Sequence, residues 1–237
     1  MIMKSKKLMR PAQFTEHHLL TAILGGKYPP GTVLPAERQL AELIGVTRPT
    51  LRETMHKMAR EGWLDINHGK STIVKDYMKE GGMGVLSTIA RFTDNIPENF
   101  VEHFLKVRCV ILPSISRMAL NNQPVLLKNY LAQSQHLEDK SENYTDYDWN
   151  LQLNMATYSG NFFFRVIMND FDFMYRKLAL EYFQSKKTRQ VSLKYYCELL
   201  ELVRKKDGKG VEKRVGKVMD DALRLWKSMI GGAVNES

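Results

Sequence analysis

The first third of the chain alternates short amphipathic segments with glycine- and proline-rich breaks. Apolar residues recur at helical spacing over 12–24, 35–44 and 48–61, and a glycine follows each segment. Pro35 fits the first turn of the second helix, and Thr47 supplies a side-chain oxygen suited to capping the third. The pattern therefore predicts three consecutive helices.

Two short β-prone runs follow these helices. Residues 63–66 and 71–74 are rich in β-branched and large apolar side chains, and they flank a polar tip that contains Gly69. This arrangement is typical of a β-hairpin. Three helices followed by a hairpin predict a winged helix-turn-helix over residues 1–75.

The rest of the chain shows helical spacing and no convincing strand. Residues 76–84 are polar and glycine-rich and are predicted to be a linker. Pro113 is expected to kink or split the helix that contains it. We predict a mainly α protein, with an antiparallel helical bundle over residues 85–237. The predicted helices of this part cover residues 85–93, 97–121, 124–140, 145–159, 162–184, 187–206 and 210–230.

The charge of the chain is concentrated in the predicted winged domain. The 237 residues carry a formal net charge of +9, and residues 1–75 hold 12 Lys and Arg against 6 Asp and Glu. A compact basic domain attracts nucleic acid, because each neutralised phosphate releases a condensed counterion. Basic solvated surfaces are also common, so charge alone leaves both interpretations open.

Composition limits the class of protein and the cellular compartment to which the chain can belong. A hydrophobic fraction of 43% excludes wholesale disorder, and no apolar run approaches the ~20 residues that cross a bilayer. The basic N-terminus lacks the apolar core of a secretory signal. Cys109 and Cys197 are too few for a disulfide framework or a zinc site. We therefore expect a cytoplasmic protein without a membrane partner.

The start of the third helix carries the strongest candidates for contact with DNA. In a helix-turn-helix the first residues of the second helix of the motif enter the major groove. Arg48 and Arg52 can each donate two hydrogen bonds to guanine, and Arg38 on the preceding helix can reach a phosphate or a groove edge. Arg52 could instead form a surface ion pair with Glu37 or Glu53.

The tip of the predicted wing is the second candidate. Gly69 lets the backbone approach a groove closely, and Lys70 supplies positive charge. His68, taken alone, is more often a solvated loop residue.

These residues resemble the GntR family of bacterial transcription regulators, and within it the FadR-like, fatty-acid-responsive group. The similarity is carried by PPGTVLPAER at 29–38, LAELIGVTR at 40–48, LRE at 51–53 and EGWL at 61–64. It implies a homodimer on a pseudo-palindromic DNA operator. Pro49 replaces a threonine usual in the group, which implies a related rather than identical operator. The implied DNA contacts are Arg38, Thr47, Arg48, Thr50, Arg52, His68, Gly69 and Lys70.

The resemblance extends through the helical part and implies a domain that binds an effector and dimerises. Many relatives of this domain hold a metal through one aspartate and three histidines, but only His103 and His136 follow residue 75. The matching positions are Asp148, Gln152, Tyr196 and Val218. One carboxylate does not make a transition-metal site, so no metal or other cofactor is expected.

The FadR-like group instead binds long-chain acyl-CoA, which releases the protein from DNA. The matching pocket positions are Arg108, Tyr182 and Trp226. The aromatic run over 162–183 offers apolar lining for an acyl chain, although aromatic residues at helical spacing are usually core.

Departures from the group leave the effector open. Arg108 lies in an apolar stretch, so its charge needs a partner, either a ligand anion or a carboxylate such as Asp148. Met219 and Ala222 replace small residues of the pocket, and Gly231 replaces a basic one. Because a methionine can fill the space that an acyl chain needs, a different effector and a helical domain that only dimerises remain alternatives.

An enzyme is not predicted. The sequence contains no glycine-rich phosphate loop, nucleophile elbow or paired catalytic carboxylates. Cys197 has no histidine nearby and is expected to be a small buried hydrophobe.

Overall fold

The computed structural model describes residues 9–67, 69, 71–91 and 100–234, with side chains as far as residue 228. The chain divides into two compact units, Met1–Pro97 and Glu98–Ser237. Each unit has its own buried core.

The first unit is a winged helix-turn-helix, as predicted. Its helices and strands are α1 (Pro11–Leu24), α2 (Glu37–Ile44), α3 (Arg48–Arg60), β1 (Leu64–Asp65), β2 (Ile73–Val74), α4 (Tyr77–Glu80) and α5 (Met83–Arg91).

The core of this unit forms where α1 and α2 pack against α3. The apolar residues that recur at helical spacing in α3 face this core, and Leu51, Met55 and Met58 are at most 2% exposed. Strands β1 and β2 pair antiparallel, and Leu64 lies opposite Val74. The hairpin thus continues directly from the end of α3, with Trp63 fully buried between them.

Residues 76–84, predicted to be a linker, contain α4 and the first two residues of α5. Helix α5 packs against the end of α3: the Thr88 hydroxyl donates to Glu61 Oε2 at 3.0 Å, and Arg91 Nη2 lies 3.6 Å from Glu61 Oε1. A Cβ at Gly84 would lie 3.0 Å from the Glu61 carbonyl oxygen. This close approach places α5 within the first unit.

The second unit is helical throughout its described residues. It comprises α6 (Phe100–Asn122), α7 (Pro124–Ala132), a 3₁₀ turn (Gln133–His136), α8 (Ser141–Tyr158), α9 (Phe162–Asn169), α10 (Asp172–Tyr182), α11 (Lys186–Arg204) and α12 (Gly208–Val234).

Two predicted helices are each divided in the structure. The segment 124–140 is α7 followed by a 3₁₀ turn that ends at His136. The segment 162–184, predicted as one helix, is two, because the chain breaks at Asp170 and Phe171 between α9 and α10. Helix α6 is not split at Pro113. Its proline ring faces Gly216 of α12, where a Cβ would lie 3.6 Å from Pro113 Cγ. Packing against α12 holds α6 together despite the missing hydrogen bond.

No helix in the described part of the chain is long and apolar enough to span a bilayer.

Candidate DNA-contact surface and effector cavity

The sharp turn between α2 and α3 fixes where α3 begins. Gly45 adopts a left-handed conformation with φ of 78°, which glycine reaches without steric cost. Thr47 then caps α3: its Oγ1 accepts a hydrogen bond from the Thr50 amide at 3.4 Å and lies 2.9 Å from Thr50 Oγ1. Pro49 occupies the first turn and is exposed. The cap orients the first residues of α3 toward solvent.

Two of the predicted arginines are highly exposed. Arg48 is the first residue of α3 and lies at the surface. The Arg38 side chain on α2 is 79% exposed, and its one contact among the described residues is with Glu42, one turn later, at 3.3 Å. Such a pair is weak in water and leaves the guanidinium available to an anion.

Arg52 is held by Glu37 across the two helices. Its Nη2 donates to Glu37 Oε2 at 2.6 Å and its Nε donates to the same oxygen at 3.1 Å. The Arg52 guanidinium keeps the pKa of the Glu37 carboxyl below its usual range. Glu37, rather than Glu53, is therefore the carboxylate that pairs with Arg52. The pair orients Arg52 and ties α3 to the start of α2, beside Arg38.

The wing tip is described only in part. Gly69 is exposed, has a φ of 74°, and has open space where a Cβ would lie. His68 and Lys70 lie outside the described residues. The predicted contacts that the structure does describe are all at the surface or half-buried.

The second unit contains a cavity of about 260 Å³ between α6, α10, α11 and α12. All three predicted ligand residues, Arg108, Tyr182 and Trp226, line this cavity. They come from three different helices, so only the folded chain brings them together. Met219 and Ala222 also line it.

Arg108 is a buried cation with an incomplete set of partners. It is 7% exposed, and its Nη2 donates to Gln152 Oε1 at 3.1 Å. Its guanidinium carbon lies 5.0 Å from the ring centre of Tyr175, within reach of a cation–π interaction. Its Nε has no hydrogen-bond partner among the described residues. Among the described residues its hydrogen-bond partner is thus the Gln152 amide, which in turn donates to Asp148.

Asp148 is the centre of a hydrogen-bond network at the positions that match the metal ligands of relatives. It accepts from Tyr196 Oη at 2.7 Å, from Gln152 Nε2 at 2.8 Å and from the Tyr175 hydroxyl. Burial and the nearby Asp148 raise the pKa of Tyr175 and Tyr196 well above the usual value. Neutral donors therefore satisfy this carboxylate, and the described residues contain no cluster of three metal-ligating groups.

The sequence prediction missed Arg214, which also lines the cavity. Its Nε donates to Glu198 Oε2 at 2.6 Å, while its buried Nη1 has no partner among the described residues. The Trp226 indole N–H is likewise without a described partner. Residues 214, 218, 222 and 226 recur every four positions along α12, and this spacing was the available signal.

The aromatic run fits its two open interpretations, cavity lining and core, only in part, and the expectation for Cys197 is wrong. Much of the aromatic run over 162–183 lies away from the cavity, and Phe162, Phe163 and Phe173 are exposed. Cys197 is exposed rather than buried, because it lies on the outer side of α11 next to the buried Tyr196.

Comparison with known proteins also divides the chain into two parts, with the boundary before α4 rather than after α5. Residues 11–74 match the model of bacterial regulatory proteins of the gntR family, and residues 75–233 match the FadR C-terminal domain.

Curated relatives resemble the chain over most of its length. It is 36% identical over 226 residues to the fatty acid metabolism regulator protein of Yersinia enterocolitica, covering 95% of this chain and 94% of that one. It is 42% identical over 200 residues to the protein of the same name from Shewanella oneidensis. This match covers 83% of this chain and 82% of that one.

A solved structure shares the fold. Lar, which controls the expression of the Listeria monocytogenes agr system and mediates virulence, superposes with a TM-score of 0.60 at 15% identity. The match covers 92% of this chain and 97% of Lar.

Proposed function

Because the chain belongs to the GntR family of bacterial transcription regulators, as a FadR-like regulator of fatty acid metabolism, we propose that its first unit binds operator DNA and its second binds a fatty acyl-CoA effector. Effector binding weakens the complex with DNA. The relatives that it matches are regulators rather than enzymes.

The exposed start of α3 is the observation that supports DNA binding most strongly. Arg48 and the capping Thr47 project from the first turn of a helix that follows a tight turn, which is the geometry with which a helix-turn-helix enters the major groove. Arg52, oriented by Glu37, and the exposed Arg38 extend the same cationic edge. The wing residues His68, Gly69 and Lys70 are proposed as further contacts.

A homodimer on a pseudo-palindromic operator follows from this mode of binding. One α3 reads only a few base pairs, and two copies related by a twofold axis read two half-sites one helical turn apart. The pairing of two copies is part of the proposal.

The cavity of the second unit supports an effector rather than a role in dimerisation alone. Its walls are largely apolar, and buried N–H groups of Arg108, Arg214 and Trp226 have no described acceptor. Unpaired buried donors cost free energy, which a ligand with acceptor atoms recovers. An acyl chain fits the apolar walls, and its thioester and nucleotide supply the acceptors.

Selection of duplexes from a random DNA library with the full-length protein tests DNA binding. We expect enrichment of an inverted repeat with half-sites about one helical turn apart. Arg48→Ala should weaken binding to the selected duplex by about 1–3 kcal/mol, the contribution of one bidentate arginine–guanine contact.

Arg60→Ala is the matched control, because Arg60 is an exposed arginine at the opposite end of α3. Failure to enrich any motif, or equal losses for the two variants, would contradict the proposed interface.

A further inference from the structure

Five lysines lie close together in sequence around the turn between α11 and α12. We infer that they form a second DNA-binding surface, which holds a segment of duplex DNA through its phosphates, separately from the operator contacts of α3. The inference goes beyond the proposed function and rests on it only for the presence of DNA. These residues, here termed the lysine row, are Lys205, Lys206, Lys209, Lys213 and Lys217.

The lysine row is exposed along its whole length. Lys209, Lys213 and Lys217 follow one another at four-residue intervals, so they share one face of α12 at steps of about 6 Å along its axis. The opposite face of the same turns is buried, with Val211 and Val215 fully covered. The lysines therefore project into solvent rather than into the helical core.

The lysine row makes no ion pair within the described part of the chain, and nearby carboxylates have other partners. Arg204 Nη1 lies 2.6 Å from Glu201 Oε1, and Arg117 Nη1 lies 2.9 Å from Glu212 Oε2. Asp207, inside the row, accepts a backbone amide at 2.9 Å at the start of α12. Five lysines against one aspartate leave this surface strongly positive.

Two of the five lysines occupy positions that are unfavourable for folding. Lys206 has a φ of 55°, in the left-handed region that glycine favours at the end of a helix. Lys209 lies in the first turn of α12, where the helix dipole favours negative charge. Folding alone does not favour lysine at either position, whereas an anionic partner does.

The surroundings of the lysine row favour DNA over a membrane or a protein. Among the described residues, no large hydrophobic side chain is exposed between positions 192 and 224. Interfacial helices insert apolar residues into lipid, and protein interfaces are depleted of lysine. Duplex DNA carries one negative charge per ~1.7 Å of its axis, and lysines bind it through counterion release without apolar contact. A linear row of lysines matches this partner.

Surface plasmon resonance with the full-length protein tests this inference. The selected operator, trimmed to its two half-sites, is immobilised and saturated with protein, and a longer duplex of scrambled sequence is then passed over it. We expect the wild type to capture this second duplex. Its affinity should fall on the order of a hundredfold between about 50 and 200 mM KCl, as roughly four phosphate contacts require.

Two variants with the same net charge separate position from total charge. The row variant carries Lys205→Gln, Lys209→Gln, Lys213→Gln and Lys217→Gln. The control variant carries four changes at exposed lysines elsewhere in the same unit, Lys128→Gln, Lys186→Gln, Lys187→Gln and Lys194→Gln. At about 50 mM KCl the row variant should capture the second duplex at least tenfold more weakly than the control variant. Both should keep the wild-type affinity for the operator and for palmitoyl-CoA.

Equal capture by the two variants, or no capture by the wild type, would overturn the inference. It would also be wrong if the row variant captured DNA normally but lost binding to phosphatidylglycerol vesicles, because the lysines would then serve a lipid surface. If the immobilised operator holds no protein, the proposed function fails instead. Anisotropy titration of the scrambled duplex with the same two variants then still tests the lysine row.

Discussion

Single residues of the proposed DNA interface differ in how firmly the protein holds them. Arg48 is exposed and Arg38 makes one long contact with Glu42, whereas Arg52 is held by two short hydrogen bonds to Glu37. A guanidinium that is already oriented loses less side-chain entropy when it contacts a base. We therefore assign Arg52 a role in specificity and the freer arginines a larger share of non-specific affinity.

Glu37→Gln tests this assignment. The change removes a negative charge near the phosphates, so affinity for a scrambled duplex should rise. It also releases Arg52, so the preference for the selected operator over the scrambled duplex should fall about tenfold, or roughly 1.4 kcal/mol. Fluorescence anisotropy on both duplexes at two salt concentrations measures the two effects separately.

Glu42→Gln removes the same charge from the more exposed pair with Arg38 and serves as the control. It should raise affinity for both duplexes alike. An unchanged operator preference in Glu37→Gln would show that the pair with Arg52 is not used in recognition.

For single residues, the sequence predicted which side chains line the cavity better than it predicted their hydrogen-bond and ion-pair partners. The family resemblance located Arg108, Tyr182 and Trp226, and the structure places all three in one cavity. The bond from Arg108 to Gln152 joins residues 44 positions apart, and the choice of Glu37 for Arg52 spans 15. No local spacing encodes such pairs, because they depend on how the helices pack.

Among elements, the contact between the end of α3 and helix α5 was the least predictable. The glycines of residues 76–84 resemble a flexible linker, but Gly84 instead permits close approach to the backbone of Glu61. Periodicity and caps predicted most of the other helices, but not the break between α9 and α10 or the end of α7. Pro113 shows the limit of that reasoning, because packing against α12 outweighs the local preference for a break.

An ion pair fixes α3 against α1 in the same unit. Lys57 Nζ lies 2.6 Å from both carboxylate oxygens of Glu16, whose side chain is only 7% exposed. Lys57→Ala leaves a buried carboxylate unpaired and should cost about 2 kcal/mol, less than the roughly 3–5 of a fully buried pair because Lys57 is partly exposed. Amide hydrogen exchange in α1 and α3 should accelerate by about thirtyfold.

Two further variants separate the pair from other effects. Lys79→Ala breaks an exposed pair with Asp76 and should change little. Glu16→Gln combined with Lys57→Met removes both charges and should recover most of the lost protection. If the double variant exchanged as fast as Lys57→Ala, the unpaired carboxylate would not be the cause.

In the whole molecule, the two proposed sites lie in separate units. One is a cationic edge on a winged domain, and the other is an apolar cavity with unpaired donors in a helical domain. Linkage requires that the effect be reciprocal: an effector that weakens DNA binding is itself bound more weakly by the DNA complex.

The most direct test of this account is the affinity of the full-length protein for its selected operator, measured by fluorescence anisotropy while acyl-CoA is added. Palmitoyl-CoA is the effector tested, with free coenzyme A as the control. We expect palmitoyl-CoA to weaken operator binding by about 5- to 150-fold, a coupling of about 1–3 kcal/mol, and free coenzyme A to leave it unchanged. An operator affinity that stays constant at saturating palmitoyl-CoA would contradict this proposal.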